Sequence, residues 1–297
     1  MGIGELLWDL LPGGRQMGGA PANFAYHAGV LGAEARVLSR VGRDALGQEL
    51  IRRLQQVGVL TECIEEDPTA PTGTVTVEIA ADGQPQFTIQ QDVAWDRIAG
   101  ESAGRAAVVA ADAVCFGTLA QRSETSRRSI QALLKTMRGE SLRILDVNLR
   151  QEFYSRELIE DSLALANVLK VNETELPRLA EMFRLPGDER GQVAELARRF
   201  RLQVVAYTRG ARGSLLWKEG RWSEHAGIPT KVVDTIGAGD SFTAALALGL
   251  LAGWPLDEIN RRASEVAAYV CSQPGGMPGV HTSGVHTSGC PLPVARL

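Results

Sequence analysis

The sequence predicts an α/β fold, a mainly parallel sheet covered by helices on both faces. Two observations point there. Nearly continuous apolar runs recur at Ala35 to Ser39, Ala113 to Phe116, Arg143 to Asp146, Val168 to Val171 and Val204 to Thr208, and helical stretches separate most of them. Strands buried on both faces lose polar alternation, and parallel neighbours need a crossover long enough to hold a helix. The chain, 297 residues with 44% hydrophobic side chains, is long and apolar enough for such a core. In open sheets of this kind ligands sit beyond the carboxyl ends of the strands.

Along the chain, Met1 to Ile3 form an abbreviated first strand before Gly4-Glu5. Gly18-Gly19-Ala20-Pro21 is a turn, and Pro21 opens a helix that carries Asn23. Thr74 to Ile79 and Phe87 to Gln90 alternate around Asp82-Gly83, a hairpin over about residues 72 to 93. Its apolar face must cover something: the domain's own cleft, or the same element of a second subunit, unless the hairpin is an edge of the main sheet. Phe242 to Pro255 is the longest apolar run, broken by Thr243, Gly249 and Gly253; it falls short of the roughly 20 residues a membrane span needs and reads as a buried helix. From Pro274 onward the chain is rich in Gly, Pro, Ser and Thr and duplicates Gly-Val-His-Thr-Ser-Gly around His281 and His286, so residues 277–297 are expected to be a poorly ordered tail. Nothing in the sequence supplies further metal ligands to those two histidines.

Composition narrows the function. With 31 basic and 35 acidic residues the formal charge is -4, which makes no case for a nucleic-acid or anionic-membrane partner; the expected ligand is small. Cys63, Cys115, Cys271 and Cys290 are far apart without a C-x-x-C pair, which fits a reducing cytoplasm. The first nine residues carry two acids and no basic segment, so they do not read as a signal peptide, and Leu6 breaks a myristoylation pattern.

The chemistry concentrates in Asp234-Thr235-Ile236-Gly237-Ala238-Gly239-Asp240-Ser241-Phe242, a glycine turn running into the apolar helix. Gly237 and Gly239 remove side chains that would block the backbone N–H groups, and a helix N-terminus adds unpaired donors and about half a positive charge, so phosphate oxygens can dock. Asp240 lies at the mouth of that site, where the positive helix end is expected to favour its ionised form and leave a base for an attacking hydroxyl. An anion site beside a base suggests phosphoryl transfer to an alcohol. A lone Gly-x-Gly-Asp is more often a turn closed by an Asp N-cap; the nine-residue string is more specific. No Gly-Lys pair exists for a P-loop, no His-Arg-Asp loop marks a protein kinase, and the third glycine of a dinucleotide fingerprint is missing.

That string resembles the C-terminal signature of the PfkB, ribokinase-like carbohydrate kinases, closest to bacterial fructokinases, and Gly18-Gly19-Ala20-Pro21-Ala22-Asn23-Phe24-Ala25 resembles their N-terminal signature. The resemblance runs from about Gly4 to Gly276. It implies a three-layer α/β/α sandwich with a small β lid, core segments 1–10, 18–70 and 96–276, and lid segments 11–17 and 71–95. It also implies ATP and Mg²⁺ as cosubstrates; a homodimer through the lid is the alternative use of the hairpin's apolar face. By resemblance Asp9 accepts sugar hydroxyls, Gly18 and Gly19 let the backbone approach the sugar, and Asn23 both donates and accepts. Arg150, with Asp146, borders the sugar and the transferring phosphate. Asn172 and Glu175 form an Asn-x-x-Glu element that orders Mg²⁺-bound water, and the same residues make a capping pattern. Thr208, Gly210 and Gly213 resemble a nucleotide loop, read alternatively as a hairpin turn into Ser214 to Trp217. Gly237, Ala238 and Gly239 form the anion hole, and Asp240 is the base. Adenine is expected near Val266 to Val270, and carbonyls of Asp234 and Ile236 can serve a monovalent cation such as K⁺.

Gly4-Glu5-Leu6-Leu7-Trp8-Asp9-Leu10-Leu11-Pro12 and Val93-Ala94-Trp95-Asp96 look most like bacterial fructokinases, which implies D-fructose phosphorylated at O6. A 2-keto-3-deoxygluconate kinase, which shares Asp-x-Asn-x-Arg, then ribokinase or nucleoside kinase, are the alternatives. A catalytically silent sugar sensor is the alternative of a different class.

Overall fold

The computed structural model describes residues 1–11, 13–79 and 85–278. In chain order the elements are β1 (Gly2–Ile3), β2 (Leu7–Leu11), β3 (Gly14–Gly18), α1 (Ala20–Val30), β4 (Val37–Gly42), α2 (Ala45–Gln56), β5 (Ile64–Asp67), β6 (Gly73–Ile79), β7 (Pro85–Ile89), α3 (Ser102–Ala110) and β8 (Ala113–Phe116). Then follow α4 (Glu124–Leu134), β9 (Leu142–Asp146), α5 (Arg156–Leu165), β10 (Val168–Asn172), α6 (Glu175–Phe183), α7 (Glu189–Phe200), β11 (Val204–Thr208), β12 (Ser214–Lys218), β13 (Arg221–His225), α8 (Ala238–Leu251) and α9 (Leu256–Cys271). The five apolar runs are all strands of one nine-stranded sheet, ordered β13-β12-β11-β10-β9-β8-β1-β4-β5. It is parallel from β5 to β11, and β12 and β13 add an antiparallel edge.

Period-two alternation divides the apolar side chains between two cores. Leu145, Leu169, Val171, Val205 and Tyr207 join one, with Val108, Ile130, Leu163, Leu179 and Leu196 from helices α3 to α7. Ile144, Val168, Val204 and Ala206 join the other, with Phe24, Leu50, Leu54, Phe242 and Ile259 from α1, α2, α8 and α9. That is the three-layer, ribokinase-like arrangement. Each fully buried Leu, Ile, Val or Phe contributes about 1.5–3 kcal/mol. Helix α8 is apolar on nearly every side because α1, α9 and the sheet enclose it.

A separate four-stranded sheet, ordered β3-β2-β6-β7, forms the lid. The hairpin is therefore half of this second sheet rather than an edge of the main one: β6 pairs in parallel with β2, and β7 antiparallel with β6. The lid strands begin at Leu7 and the second ends at Gly18, wider than the expected 11–17. Asp82-Gly83, the expected turn, and the tail past Pro278, with His281 and His286, lie outside the described residues. Two anchors fix the lid's base. Trp8 is fully buried, its indole N–H donates 3.1 Å to the Leu46 carbonyl of α2, and the guanidinium carbons of Arg15 and Arg53 lie 4.9 Å from its ring centre. At the lid exit Trp95 lies under Arg122, 3.8 Å from its ring centre, and Arg122 also donates to both oxygens of Asp96 and to the Gln90 carbonyl.

The chain enters the main sheet at β1, goes to β4 and β5 on one side, then returns through the lid to β8 on the other. Order reverses at β1, so a crevice opens beyond the carboxyl ends of β1 and its neighbours, with the lid strands leaving from the same end.

Gly73, the first residue of β6, has no room for a side chain: a Cβ there would stand 2.3 Å from the Trp95 indole nitrogen. Gly73→Ala should lower the chemical-denaturation free energy by about 1–3 kcal/mol, the usual cost of overpacking a filled site; an unchanged midpoint would mean the Trp95 anchor yields freely.

Candidate active site

The crevice is lined first by the turn between β3 and α1. Gly19 adopts φ 109°, and a Cβ there would meet the Glu5 carbonyl at 2.3 Å, so only glycine fits. Gly18 is bare for another reason: its Cβ would overlap the Asp9 carboxylate, 2.2 Å from Oδ2. Asp9 lies inside lid strand β2, opposite Gln16 of β3. The base of the lid thus supplies one wall of the crevice.

From α1, buried Asn23 donates through Nδ2 to Asp240 Oδ2 at 2.7 Å, joining residues 217 positions apart. Asp240 stands in the first turn of α8 and makes no capping bond; Gly237, left-handed at φ 77°, ends the turn instead. A Cβ on Gly237 would lie 2.5 Å from the Gly276 carbonyl, so the glycine is required by close approach as well as by conformation. The anion hole is narrower than expected: the Ala238 amide donates to the Thr235 carbonyl at 3.3 Å and that of Ser241 to Gly237 at 2.8 Å. The Gly239 and Asp240 amides between them donate to no carbonyl among the described residues. Two adjacent free donors at a helix start form an anion cradle.

Burial changes the electrostatics from the expectation. The helix end favours ionised Asp240, yet loss of water, then the neighbouring Asp146 carboxylate, pushes its pKa up to about 6, against the Asn23 bond, Lys170 and Arg150. Desolvation also carries Asp9 up to about 6, opposed by Arg150. Arg150 itself is exposed, and its charge reaches Asp9, Asp240 and a third carboxyl, Glu5. Glu5 was not identified from the sequence. It is 2% exposed, its Oε2 has no partner, and burial lifts its pKa to about 7. Glu5 follows Gly4 directly after β1, a position that pattern alone reads as a loop end.

Asp146 is not open to the crevice. It is buried, and its Oδ1 accepts a 3.0 Å ion-paired bond from Lys170 of β10, its cross-strand partner. Lys170 was also missed, because a lysine inside an apolar strand looks like an interruption of the run.

The nucleotide-side residues come together where β10 and β11 end. Asn172 and Thr208 are register partners. Asn172 Oδ1 accepts from the Thr174 and Glu175 amides, at 2.9 and 3.0 Å. Glu175 returns the bond, accepting from the Asn172 amide at 2.9 Å and from that of Leu149 at 3.1 Å. The capping arrangement is thus present, and Glu175 is buried within it. Gly210 has φ 55° and would meet Glu173 with a Cβ; Gly213 has φ 83° and would overlap the His225 carbonyl, so its role is to let β12 turn back antiparallel. The hairpin turn into β12 therefore describes this segment. Of Val266 to Val270, Val266 is partly exposed and Val270 is buried in α9. Asp234 spends its carboxylate on the Ile236 and Gly275 amides, each at 3.0 Å, and so shapes the turn before the glycines.

Among the described residues no three His, Cys, Asp or Glu side chains gather to hold a metal. No helix there is long and apolar enough to cross a membrane.

Comparison with known proteins agrees with this geometry. A family model described as pfkB family carbohydrate kinase matches residues 13–283, and the chain belongs to that family. It is 31% identical to a sugar kinase of Pyrococcus horikoshii over 92% of this chain and 90% of that one. The structure of that uncharacterized kinase in complex with ATP superposes with a TM-score of 0.78, covering 93% of each chain. A Klebsiella pneumoniae fructokinase is 30% identical, over 91% of this chain and 90% of its own. A Vibrio cholerae fructokinase double mutant, bound to fructose, ADP and potassium ion, shares the fold at a TM-score of 0.76 and 23% identity, covering 93% and 92%.

Because Asp240 binds its proton more tightly in the folded chain than a free Asp side chain does, at about 3.8, it favours the fold below about pH 4 and that contribution is lost as pH rises through about 6. Asp240→Asn should therefore raise the thermal midpoint of the ligand-free protein at pH 8 and change it much less at pH 4. An equal gain at both would assign the effect to packing.

Proposed function

We propose that this carbohydrate kinase transfers the ATP γ-phosphoryl to O6 of D-fructose. The observation that carries the chemistry is the Asp240 carboxylate, held by Asn23 one residue beyond the Gly239 amide. The sugar lies between Asp9, Asn23 and Arg150, over bare Gly18 and Gly19. Its acceptor hydroxyl faces Asp240, whose pKa near 6 suits it to accept the proton at neutral pH while the oxygen attacks phosphorus. As charge builds on the transferring group, the Gly239 and Asp240 amides and the Arg150 guanidinium oppose it. Asn172, Thr208 and Gly210 flank the phosphates, with Glu175 fixing the loop that orders the ion's water. Mg²⁺ carried by the phosphates would neutralise their charge, and the carbonyls of Asp234 and Ile236 would hold a potassium-type cation.

Fructose is favoured over 2-keto-3-deoxygluconate by the similarity to fructokinases and by the acidic wall: Glu5, Asp9 and Asp240 share Arg150 as their one exposed cation, Lys170 being buried against Asp146, which suits a neutral polyol better than a carboxylate. The protein is placed in a reducing cytoplasm, consistent with Cys63, Cys115 and Cys271 being free. The lid is also the surface through which two copies would pair.

A substrate panel with ATP and Mg²⁺, read by phosphorus NMR, should give the highest kcat/KM with D-fructose and a product phosphorylated at O6. Clear preference for the keto-acid would overturn the fructose assignment. Asp240→Asn should cut turnover by roughly 10²- to 10⁴-fold with fructose binding nearly intact; unchanged turnover would remove Asp240 from the mechanism, and loss from every sugar in the native protein would favour the silent sensor. Deleting residues 74–90 should weaken sugar binding and raise ATP hydrolysis without sugar, since the lid excludes water. Normal sugar affinity with a change only in oligomeric state would make the hairpin purely a dimer element.

A further inference from the structure

Among the described residues Lys170 is the one lysine or arginine that is buried, at 5% exposure. It sits on β10, between the parallel neighbours β9 and β11, in a stretch that is otherwise Val-Leu-x-Val. Taking an ammonium out of water is expensive, and a buried ion pair is poor evidence for stability, since apolar replacements of similar volume often do as well. A reason for this lysine must therefore be sought in what lies above it.

Above it is the phosphoryl cradle. A Cβ placed on Gly239 would lie 2.9 Å from Lys170 Nζ, so the ammonium occupies the space that a side chain at 239 would fill. Lys170 bonds Asp146 Oδ1 at 3.0 Å; the Thr243 hydroxyl lies 3.2 Å from Asp146 Oδ2 and 2.8 Å from the Gly239 carbonyl, its single proton serving one of them at a time. The pair thus connects two central strands to the first turn of α8 through residues none of which leaves the protein interior. The requirement for glycine at 239 acquires a second meaning: it admits a cation beneath the turn as well as a phosphate above it.

We propose that Lys170 is a positioning residue of the phosphoryl-transfer site: its ammonium, held by Asp146 under Gly239, cancels the carboxylate that most opposes Asp240 and supplies a fixed positive floor to the amide cradle. This rests on the kinase reading of the site. The charged and polar groups facing Asp240 are Asp146 from β9, Lys170 from β10, Arg150 beyond β9 and Asn23 from α1, with Glu5 beyond β1 and Cys115 of β8 also within its field. Asp146 and Lys170 act on Asp240 with opposite sign. Without Lys170, Asp146 would stand unscreened beside the base and the incoming phosphates, with Arg150, an exposed side chain, as the remaining cation.

The two partners must therefore move the base in opposite directions. Lys170→Met should shift the acidic limb of kcat to higher pH, and Asp146→Asn should shift it to lower pH, each by on the order of one pH unit. The double variant should return it towards the native value. Lys170→Met should reduce kcat at pH 6.5 severalfold more than it raises KM for the sugar. Direct titration of the Asp240 carboxyl by carbon-13 NMR in the same proteins gives the same ordering without turnover, so it tests Lys170 even if no sugar is phosphorylated. Should Lys170→Met fail to fold, the downward shift in Asp146→Asn remains decisive. Loss of activity at every pH with an unmoved limb and an unmoved Asp240 titration in both variants would reduce the pair to a structural tie and overturn the proposal.

Discussion

The 2.7 Å hydrogen bond from Asn23 to Asp240 is the contact on which the site depends. It requires α1 and α8 to lie side by side with their N-terminal turns at one level, and the packing permits this because the facing residues are small: Ala22, Ala25, Ala244 and Ala247 are all buried in the same core. It also requires β1 to press against α1. A Cβ on Gly2 would stand 2.0 Å from the Pro21 carbonyl, so the two backbones touch where the first strand begins. The C-terminal segment completes the clamp: His27 bonds the Gly276 carbonyl at 2.9 Å through Nε2, and Gly276 in turn closes against Gly237.

Around that contact the chain concentrates carboxyls where water is scarce. Burial lifts Glu5, Asp9 and Asp240 together, so at neutral pH the crevice carries charge that desolvation opposes. In the proposed function, hydroxyl donors of a sugar would relieve the carboxyls, and the phosphates of ATP, with their cation, would meet the cradle and Arg150. The strain of the free site and the complementarity of the occupied one have the same origin, an instance of a fold giving up stability where its chemistry is done.

The lid shows how a two-residue periodicity can serve both purposes. Trp8 and Asp9 are neighbours on β2 and point to opposite faces of its sheet. Trp8 goes under Arg15 and Arg53 against α2, fixing the strand, while Asp9 faces bare Gly18 on the crevice side. A shift of one residue in the β2–β3 register would exchange them and lose both the anchor and the wall.

The sequence alone determined the layers, because strands buried on two faces must be apolar throughout and amphipathic helices must be periodic; Val204–Thr208 and Ala113–Phe116 have the bounds read from composition. It also marked Gly237, Gly239 and Asp240, since backbone conformation and close approach leave a local signature. What it could not carry was anything that depends on which surfaces meet. Glu5 and Lys170 look ordinary in their segments and become part of the site only when α8 is laid over β9 and β10. The same is true of Asp240's proton affinity: the helix end predicts a lowered pKa, and only the folded chain shows that burial and Asp146 outweigh it. Desolvation belongs to the assembled volume around a group, and no stretch of sequence contains that volume.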